Sequence, residues 1–129
     1  MEERIEVWDI FHDGCIVDFK EKLANFSLRI EIPYLRKMFP GDGDSFWAHI
    51  IDCSKFEYVI WEGKKKLTSL ADIIESRPEI LSVTQLDNTA HIFCVYGELD
   101  IEYSSVTFEL DTGEAVSFDE LNNACSIYW

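Results

Sequence analysis

Histidine, cysteine and acidic side chains are the groups of this chain that could bind a metal, act as nucleophiles or transfer protons. The four cysteines are separated by 38, 41 and 31 residues, whereas metal knuckles and redox pairs need gaps of about two residues. The three histidines, His12, His49 and His91, have no spacing that builds a ligand set. We therefore expect no metal site and no cofactor, and we interpret the cysteines as reduced structural thiols.

Asp111-Thr112-Gly113 resembles the active-site triplet of aspartic proteases. That chemistry needs two carboxylates that share a proton, and this chain has one copy of the triplet. The 16 residues after Gly113 are too few for the flap and strands that the family places there. Glu114 also stands where the family has a small residue. We interpret the triplet as a hairpin turn.

His12-Asp13 resembles the residue pair of a family of metal-dependent phosphohydrolases. That family is helical and needs further histidine and aspartate ligands, for which this sequence offers no supporting spacing. In the absence of a catalytic signature, the sequence favours a non-enzymatic protein over an enzyme.

The elements that must position these residues are mainly strands. Four segments alternate apolar and polar residues and predict two hairpins: Cys15–Lys20 with Phe26–Ile32, and Leu81–Leu86 with Ala90–Tyr96. Phe46–Cys53 and Phe56–Trp61 predict either a further strand pair or one long bent strand. In the segment 99–110 the apolar residues switch from odd to even positions at Ser104-Ser105, which predicts a bulge or a turn there.

Three short helical segments accompany the strands. Tyr34–Phe39 predicts one helical turn, and Ser69 is a plausible N-cap for a helix that ends before Pro78. Ser117 and Glu120 form a capping-box pattern before a C-terminal amphipathic helix. We predict a single α+β domain over residues 1–129, with a mainly antiparallel curved sheet or half-barrel and two or three short helices.

The net charge of −14 is unevenly distributed along the chain. The first 66 residues hold 10 Lys and Arg against 13 acids, while the remaining 63 hold only Arg77 against 12 acids. This balance argues against a nucleic-acid partner, because phosphate contacts need Lys and Arg. With 47% apolar residues, the chain also has enough hydrophobic material to exclude disorder.

Several of the late acids fall on polar positions of predicted strands and define a candidate acidic face. Its five members are Glu98, Asp100, Glu102, Glu109 and Asp111. They share one face if Ser104-Ser105 is a bulge. Such a face is either a solvated surface that keeps the protein soluble or a docking surface for a basic protein partner.

The first half of the chain offers an alternative site, because it is rich in aromatic and histidine residues. A small-ligand pocket, or a modest enzyme, would draw on five of them: Trp8, His12, Trp47, His49 and Trp61. Aromatic residues at strand positions also commonly form core. A structural or oligomeric module of unknown role is the third alternative.

Segments of the first half resemble small, mostly uncharacterised bacterial β-rich domains that open with a Trp/Phe-His-Asp-Gly stretch. The resemblance is carried by five segments: Trp8–Gly14, Leu28–Ile30, Tyr34–Arg36, Asp44–Phe46 and Cys53. It implies a β-rich sheet and assigns no functional residue. In size and charge, the chain also resembles immunity proteins of bacterial polymorphic toxins, which bind and mask a basic toxin domain.

The sequence has no apolar run of the ~20 residues that a membrane helix needs, and its first ten residues are acidic and lack the pattern of a signal peptide. We therefore expect a cytoplasmic protein that binds neither a membrane nor nucleic acid. The leading hypothesis is a non-enzymatic, immunity-like interaction domain that binds a basic protein partner through the acidic face. The oligomeric state stays open.

Overall fold

The computed structural model describes residues 10–11, 13–22, 25–75, 78–86 and 89–128. Strands dominate it, as the sequence predicts. The strands are β1 (Cys15–Lys22), β2 (Asn25–Glu31), β3 (Ser45–Ile51), β4 (Lys55–Ile60), β5 (Lys65–Leu67), β6 (Ile80–Leu86), β7 (Thr89–Cys94), β8 (Gly97–Glu102), β9 (Ser105–Leu110) and β10 (Ala115–Val116). The helices are α1 (Pro33–Arg36), α2 (Leu70–Glu75) and α3 (Phe118–Tyr128).

The strands form two open antiparallel sheets of five strands each. Sheet A has the order β1-β2-β3-β9-β10, and sheet B has the order β5-β4-β8-β7-β6. Both predicted hairpins are present, as β1 with β2 and β6 with β7. The α+β class and the mainly antiparallel arrangement are therefore confirmed, with the strands divided between two sheets.

The chain passes between the sheets from β3 to β4 and from β8 to β9. β3 and β4 do not pair with each other; β3 pairs with β9 in sheet A, and β4 pairs with β8 in sheet B. Between these two crossings, Ser104 N donates to Ile51 O at 3.0 Å and Ser54 N donates to Glu102 O at 2.8 Å. Residues 46–61 thus form two strands that do not pair with each other, so the predicted strand pair is wrong, and in place of one long bent strand the chain turns at residues 52–54, where Asp52 has a φ of 53°. The irregularity predicted at Ser104-Ser105 is the point where the chain passes from sheet B to sheet A.

The core lies between the inner faces of the two sheets. Side chains that face each other in register, such as Leu28, Ala48 and Phe108 in sheet A, are buried, as are Ile92 and Leu99 in sheet B. An edge-on contact between the rings of Phe26 in β2 and Phe56 in β4, with centroids 4.7 Å apart, joins the sheets. Each fully buried large apolar side chain contributes about 1.5–3 kcal/mol. The outer faces of the two sheets carry polar side chains, such as His49 on sheet A and Glu98 on sheet B.

Helices α2 and α3 begin directly after the predicted caps, and α1 begins at Pro33, one residue before the predicted turn. Ser117 Oγ accepts from Glu120 N at 3.1 Å, and Glu120 Oε1 accepts from Ser117 N at 3.1 Å, which completes the capping box of α3. Leu121 and Ala124 turn the apolar face of α3 into the core. The i, i+3, i+4, i+7 spacing of the sequence also predicts Cys125 and Tyr128 on this face, and their side chains lie outside the described part of the structure.

No disulfide joins the three cysteines that the structure describes. Burial raises the pKa of the Cys94 thiol to about 12, so this thiol stays protonated as a small core residue. Within the described ranges, no helix has the length and apolar character needed to cross a membrane.

Candidate functional site

The outer face of sheet B carries the first three residues of the predicted acidic face. β8 alternates buried residues with partly exposed ones, so Glu98, Asp100 and Glu102 all point away from the core. β8 is the central strand of sheet B, with β4 on one side and β7 on the other. The register therefore decides which side chains flank each carboxylate.

Asp100 lies between a carboxylate and an imidazole. Its register partner in β4 is Glu57, and its partner in β7 is His91. The His91 Nδ1 atom is 2.7 Å from Asp100 Oδ1 and 3.4 Å from Glu98 Oε2. One ligand atom from each of His91, Glu98 and Asp100 lies within 4.8 Å of the other two. We call these three residues the His91 cluster.

The two carboxylates of the His91 cluster interact directly. A hydrogen bond to Asp100 is the main cause that raises the pKa of Glu98, and partial burial and the charge of Asp100 act in the same direction. His91 opposes this shift. The closeness of Asp100 therefore holds the pKa of Glu98 above its ordinary value.

Glu102 has a different environment on the same strand. Ser54 Oγ donates to its Oε1 at 2.6 Å, and Thr89 Oγ1 donates to its Oε2 at 3.3 Å. The hydrogen bond from Ser54, followed by that from Thr89, lowers the pKa of Glu102. Glu102 is therefore an ionised carboxylate at neutral pH, held in place by two hydroxyls.

Two lysines limit the negative charge of this face. Lys55 Nζ is 3.8 Å and Lys66 Nζ is 3.6 Å from Glu57 Oε1, and both lysine side chains are largely exposed. Exposed pairs of this kind contribute about 0–1 kcal/mol. Lys55 is also the register partner of Glu102, and its charge helps to lower the pKa of that carboxyl, so the lysines offset part of the negative charge of this face.

The prediction that all five acids share one face is wrong, because β8 and β9 belong to different sheets. Glu109 lies on the outer face of sheet A, next to His49. Asp111 follows the last residue of β9 and contacts the fully buried Arg36. At Ser104 the chain passes from sheet B to sheet A. The described segment 103–105 is therefore a crossing between sheets and not the bulge that would have put the acids of β8 and β9 on one face.

Asp111 is held by a dense set of hydrogen bonds. Its Oδ1 accepts from Arg36 Nε at 2.8 Å, and its Oδ2 accepts from Asp44 N at 3.0 Å and from Ser45 N at 3.3 Å. Burial would raise the pKa of this carboxyl, but the Arg36 guanidinium and these donors outweigh it and lower the pKa. Gly113 N donates to Leu110 O at 2.9 Å with a φ of 98° at the glycine, so the Asp-Thr-Gly triplet forms a turn.

The residues of the predicted aromatic and histidine pocket are only partly brought together. Trp47 and His49 lie two residues apart on the outer face of sheet A, and Lys20 Nζ lies 4.3 Å from the centroid of the Trp47 ring. Trp61, which is 51% exposed, follows the far end of β4 in sheet B, about 20 Å along the strand from the turn after β3. Trp8 and His12 lie outside the described residues.

His49, a member of the predicted pocket, contacts Glu109, a member of the predicted acidic face, and also Ser27. Ser27 Oγ lies 2.6 Å from its Nδ1, and Glu109 Oε1 lies 2.9 Å from its Nε2. A serine, a histidine and a carboxylate in series are the parts of a hydrolase triad. Ser27 is central in β2, however, and the backbone N–H groups around it pair with β1 and β3. In this described part of sheet A, the backbone N–H groups next to Ser27 are therefore not available to stabilise an oxyanion. We interpret Ser27, His49 and Glu109 as a polar network that connects neighbouring strands.

Sequence reasoning missed His91 and Glu57 as members of the acidic site. His91 had been considered only as an isolated histidine in a strand. The sequence did contain a signal for His91. The short turn at Val95-Tyr96 predicts that the strand before it pairs with the strand after it, and this pairing puts His91 opposite Asp100. Glu57 had no such signal, because paired residues of β4 and β8 are at least 37 positions apart in sequence.

Comparisons with protein-family models, with curated proteins and with solved structures give no match to this chain.

Proposed function

We propose that this protein is a cytoplasmic, non-enzymatic interaction domain that docks a basic protein partner on the outer face of sheet B. The observation that carries the proposal is the set of four carboxylates on adjacent strands of this face: Glu57, Glu98, Asp100 and Glu102. Immunity-like binding of a basic toxin domain is the first partner class to test, because the size and charge of the chain resemble those of toxin immunity proteins.

The rigidity of this face supports the proposal. β8 is central in sheet B and is hydrogen bonded on both sides, so its side chains are presented in fixed register. Ser54 and Thr89 further orient the Glu102 carboxylate. Preorganised side chains lose less conformational entropy on binding than mobile ones do.

The energetics of the free protein also support a docking role. Asp100 lies directly across from Glu57, and like charges opposite each other destabilise a sheet. Arg or Lys side chains of a partner would relieve this repulsion on binding. Complementary charge would also accelerate association and exclude acidic proteins.

The proposal is tested with two variants that carry the same change in charge. Glu98→Lys with Glu102→Lys reverses charge on sheet B, and Asp18→Lys with Glu109→Lys makes the matched change on the outer face of sheet A. Wild type and both variants serve as baits in lysate of the source organism, after circular dichroism has confirmed that each is folded.

A basic protein that is retained by the wild type and the sheet A variant, and lost with the sheet B variant, supports the proposal. Binding of the purified partner should also weaken as salt rises from about 0.05 to 0.3 M, because mobile ions screen exposed charges. A specific partner that binds both variants equally, or capture of no basic protein, contradicts it.

A further inference from the structure

We propose that His91, Glu98 and Asp100 form a binding site for a divalent transition-metal ion of the zinc type on the outer face of sheet B. The site goes beyond the proposed docking function and does not depend on it, since metal binding is measured without any partner. It also departs from the expectation, based on residue spacing, that the chain has no metal site.

The donor atoms already lie at distances suited to coordination. Zinc binds nitrogen and carboxylate oxygen at about 2.0–2.2 Å, so neighbouring ligands of a tetrahedral ion are about 3.3 Å apart. His91 Nδ1 and Glu98 Oε2 are 3.4 Å apart. The 2.7 Å hydrogen bond between His91 and Asp100 would lengthen by about 0.6 Å on coordination, a change that a small carboxylate rotation provides.

The scaffold holds these donors with little freedom. Glu98 and Asp100 are two residues apart on one face of β8, and His91 is the register partner of Asp100 on β7. All three side chains are largely shielded, with exposed fractions of 29%, 14% and 27% for Glu98, Asp100 and His91. A site built on two paired strands orders its ligands before the ion arrives, which lowers the entropic cost of binding.

The local charge balance favours a cation over the empty arrangement. The sequence has no Lys or Arg from residue 78 to residue 129. The two lysines that approach from the β4 side contact Glu57. Within the described part of sheet B, a bound divalent ion would offset the repulsion between the adjacent carboxylates of Glu98 and Asp100, which lie 3.4 and 2.7 Å from His91 Nδ1.

The donor types indicate the class of metal. An imidazole nitrogen with two carboxylate oxygens suits zinc, nickel, copper or cobalt, whereas calcium and magnesium prefer six or more oxygen ligands. Three protein ligands leave at least one position for water. We therefore expect binding of Zn²⁺ and Co²⁺ and little response to Ca²⁺ or Mg²⁺.

The test is isothermal titration of the untagged protein with Zn²⁺ at neutral pH, together with visible absorption of the Co²⁺-loaded protein. Three variants are compared with the wild type. His91→Ala and Glu98→Gln each remove one proposed ligand. Glu102→Gln, two residues further along the same face of β8, removes the same charge as Glu98→Gln and leaves the His91 cluster intact.

The expected result is one Zn²⁺ site per chain whose affinity falls at least about tenfold in His91→Ala and in Glu98→Gln and less than about threefold in Glu102→Gln. Loss of the Co²⁺ absorption should follow the same order. Thermal unfolding without metal shows that each variant is folded, and Glu98→Gln keeps the test valid if His91→Ala does not fold. No Zn²⁺ binding up to about 1 mM, or equal effects of Glu98→Gln and Glu102→Gln, overturns the proposal.

The failure of this site and the failure of the docking function are distinguishable. Metal binding without a basic partner overturns only the docking proposal. Partner binding that is lost in the charge-reversal variant, with no Zn²⁺ binding by the wild type, overturns only the metal site.

Discussion

The ion pair between Arg36 and Asp111 is the feature whose removal should destabilise the protein most clearly. Arg36 is fully buried, and the Asp111 side chain is 11% exposed. The change Asp111→Asn preserves the shape of the side chain and removes its charge. It leaves the guanidinium of Arg36 buried without a counterion.

The size of the effect follows from what the asparagine still provides. Removing one partner of a buried ion pair costs about 3–5 kcal/mol. Asp111 also accepts hydrogen bonds from the backbone of Asp44 and Ser45, and the single carbonyl oxygen of asparagine retains part of these. Arg36 also keeps hydrogen bonds from Nη1 to Pro40 O at 3.0 Å and to Phe39 O at 3.4 Å, while its Nη2 has no hydrogen-bond partner among the described residues. We therefore expect a loss of about 3 kcal/mol and a fall in Tm of about 10 °C.

Urea unfolding followed by circular dichroism measures this loss, with Asp42→Asn as the control. Asp42 lies exposed in the loop before β3, so its neutralisation should change the free energy of unfolding by no more than about 0.5 kcal/mol. A loss below about 1 kcal/mol in Asp111→Asn, or an equal loss in Asp42→Asn, refutes the reasoning.

The same pair makes a pH prediction whose sign is fixed. The pKa of Asp111 is lower in the folded protein than its ordinary value. Its stabilising contribution is therefore fully present above its unfolded-state pKa of about 3.9 and disappears as the pH falls through the folded-state pKa. The difference in unfolding free energy between wild type and Asp111→Asn should be constant near neutral pH and shrink below about pH 4. A difference that grows in acid contradicts the assignment.

Three further changes test the fold. Ser117→Ala removes the side-chain half of the α3 capping box and should cost about 1 kcal/mol in urea unfolding; no measurable loss would contradict the cap. Gly43→Ala should destabilise the protein because a Cβ at this position meets the Asp111 carboxylate, and its cost should shrink in an Asp111→Ala background, which removes the clashing atoms; an unchanged cost there argues against that contact. Ile92→Ala should cost about 2–5 kcal/mol because Ile92 is fully buried, whereas Leu81→Ala, which truncates a side chain 42% exposed, should cost far less; equal costs would place the core elsewhere.

Local elements were predictable because their signals lie within a few residues of sequence. The hairpins β1-β2 and β6-β7 follow from period-two alternation around short turns, and the α3 cap follows from the spacing of Ser117 and Glu120. In each case neighbours in sequence are also partners in space.

Long-range pairing was not predictable from the same signals. The residues that β3 and β9 pair with each other are about 60 positions apart in sequence, and alternation alone does not say which strands pair. The division into two sheets therefore went unrecognised, and Glu109 was grouped with the acids of β8. The partnership of Arg36 with Asp111 was missed for the same reason, since 75 residues separate them. The candidate site was recovered in part: Glu98, Asp100 and Glu102 share a face as predicted, while His91 and Glu57 depend on the pairing of β8 with its neighbours.

The most direct test of the docking function is the dissociation constant of the captured basic partner for the wild type and for Glu98→Gln with Glu102→Gln, measured by calorimetry at about 0.05 and 0.3 M salt. The docking proposal predicts a loss of at least about tenfold at low salt in this variant, with a smaller loss at high salt, because screening weakens exposed charge pairs. Equal dissociation constants for the wild type and the variant at both salt concentrations would contradict a docking surface on the outer face of sheet B.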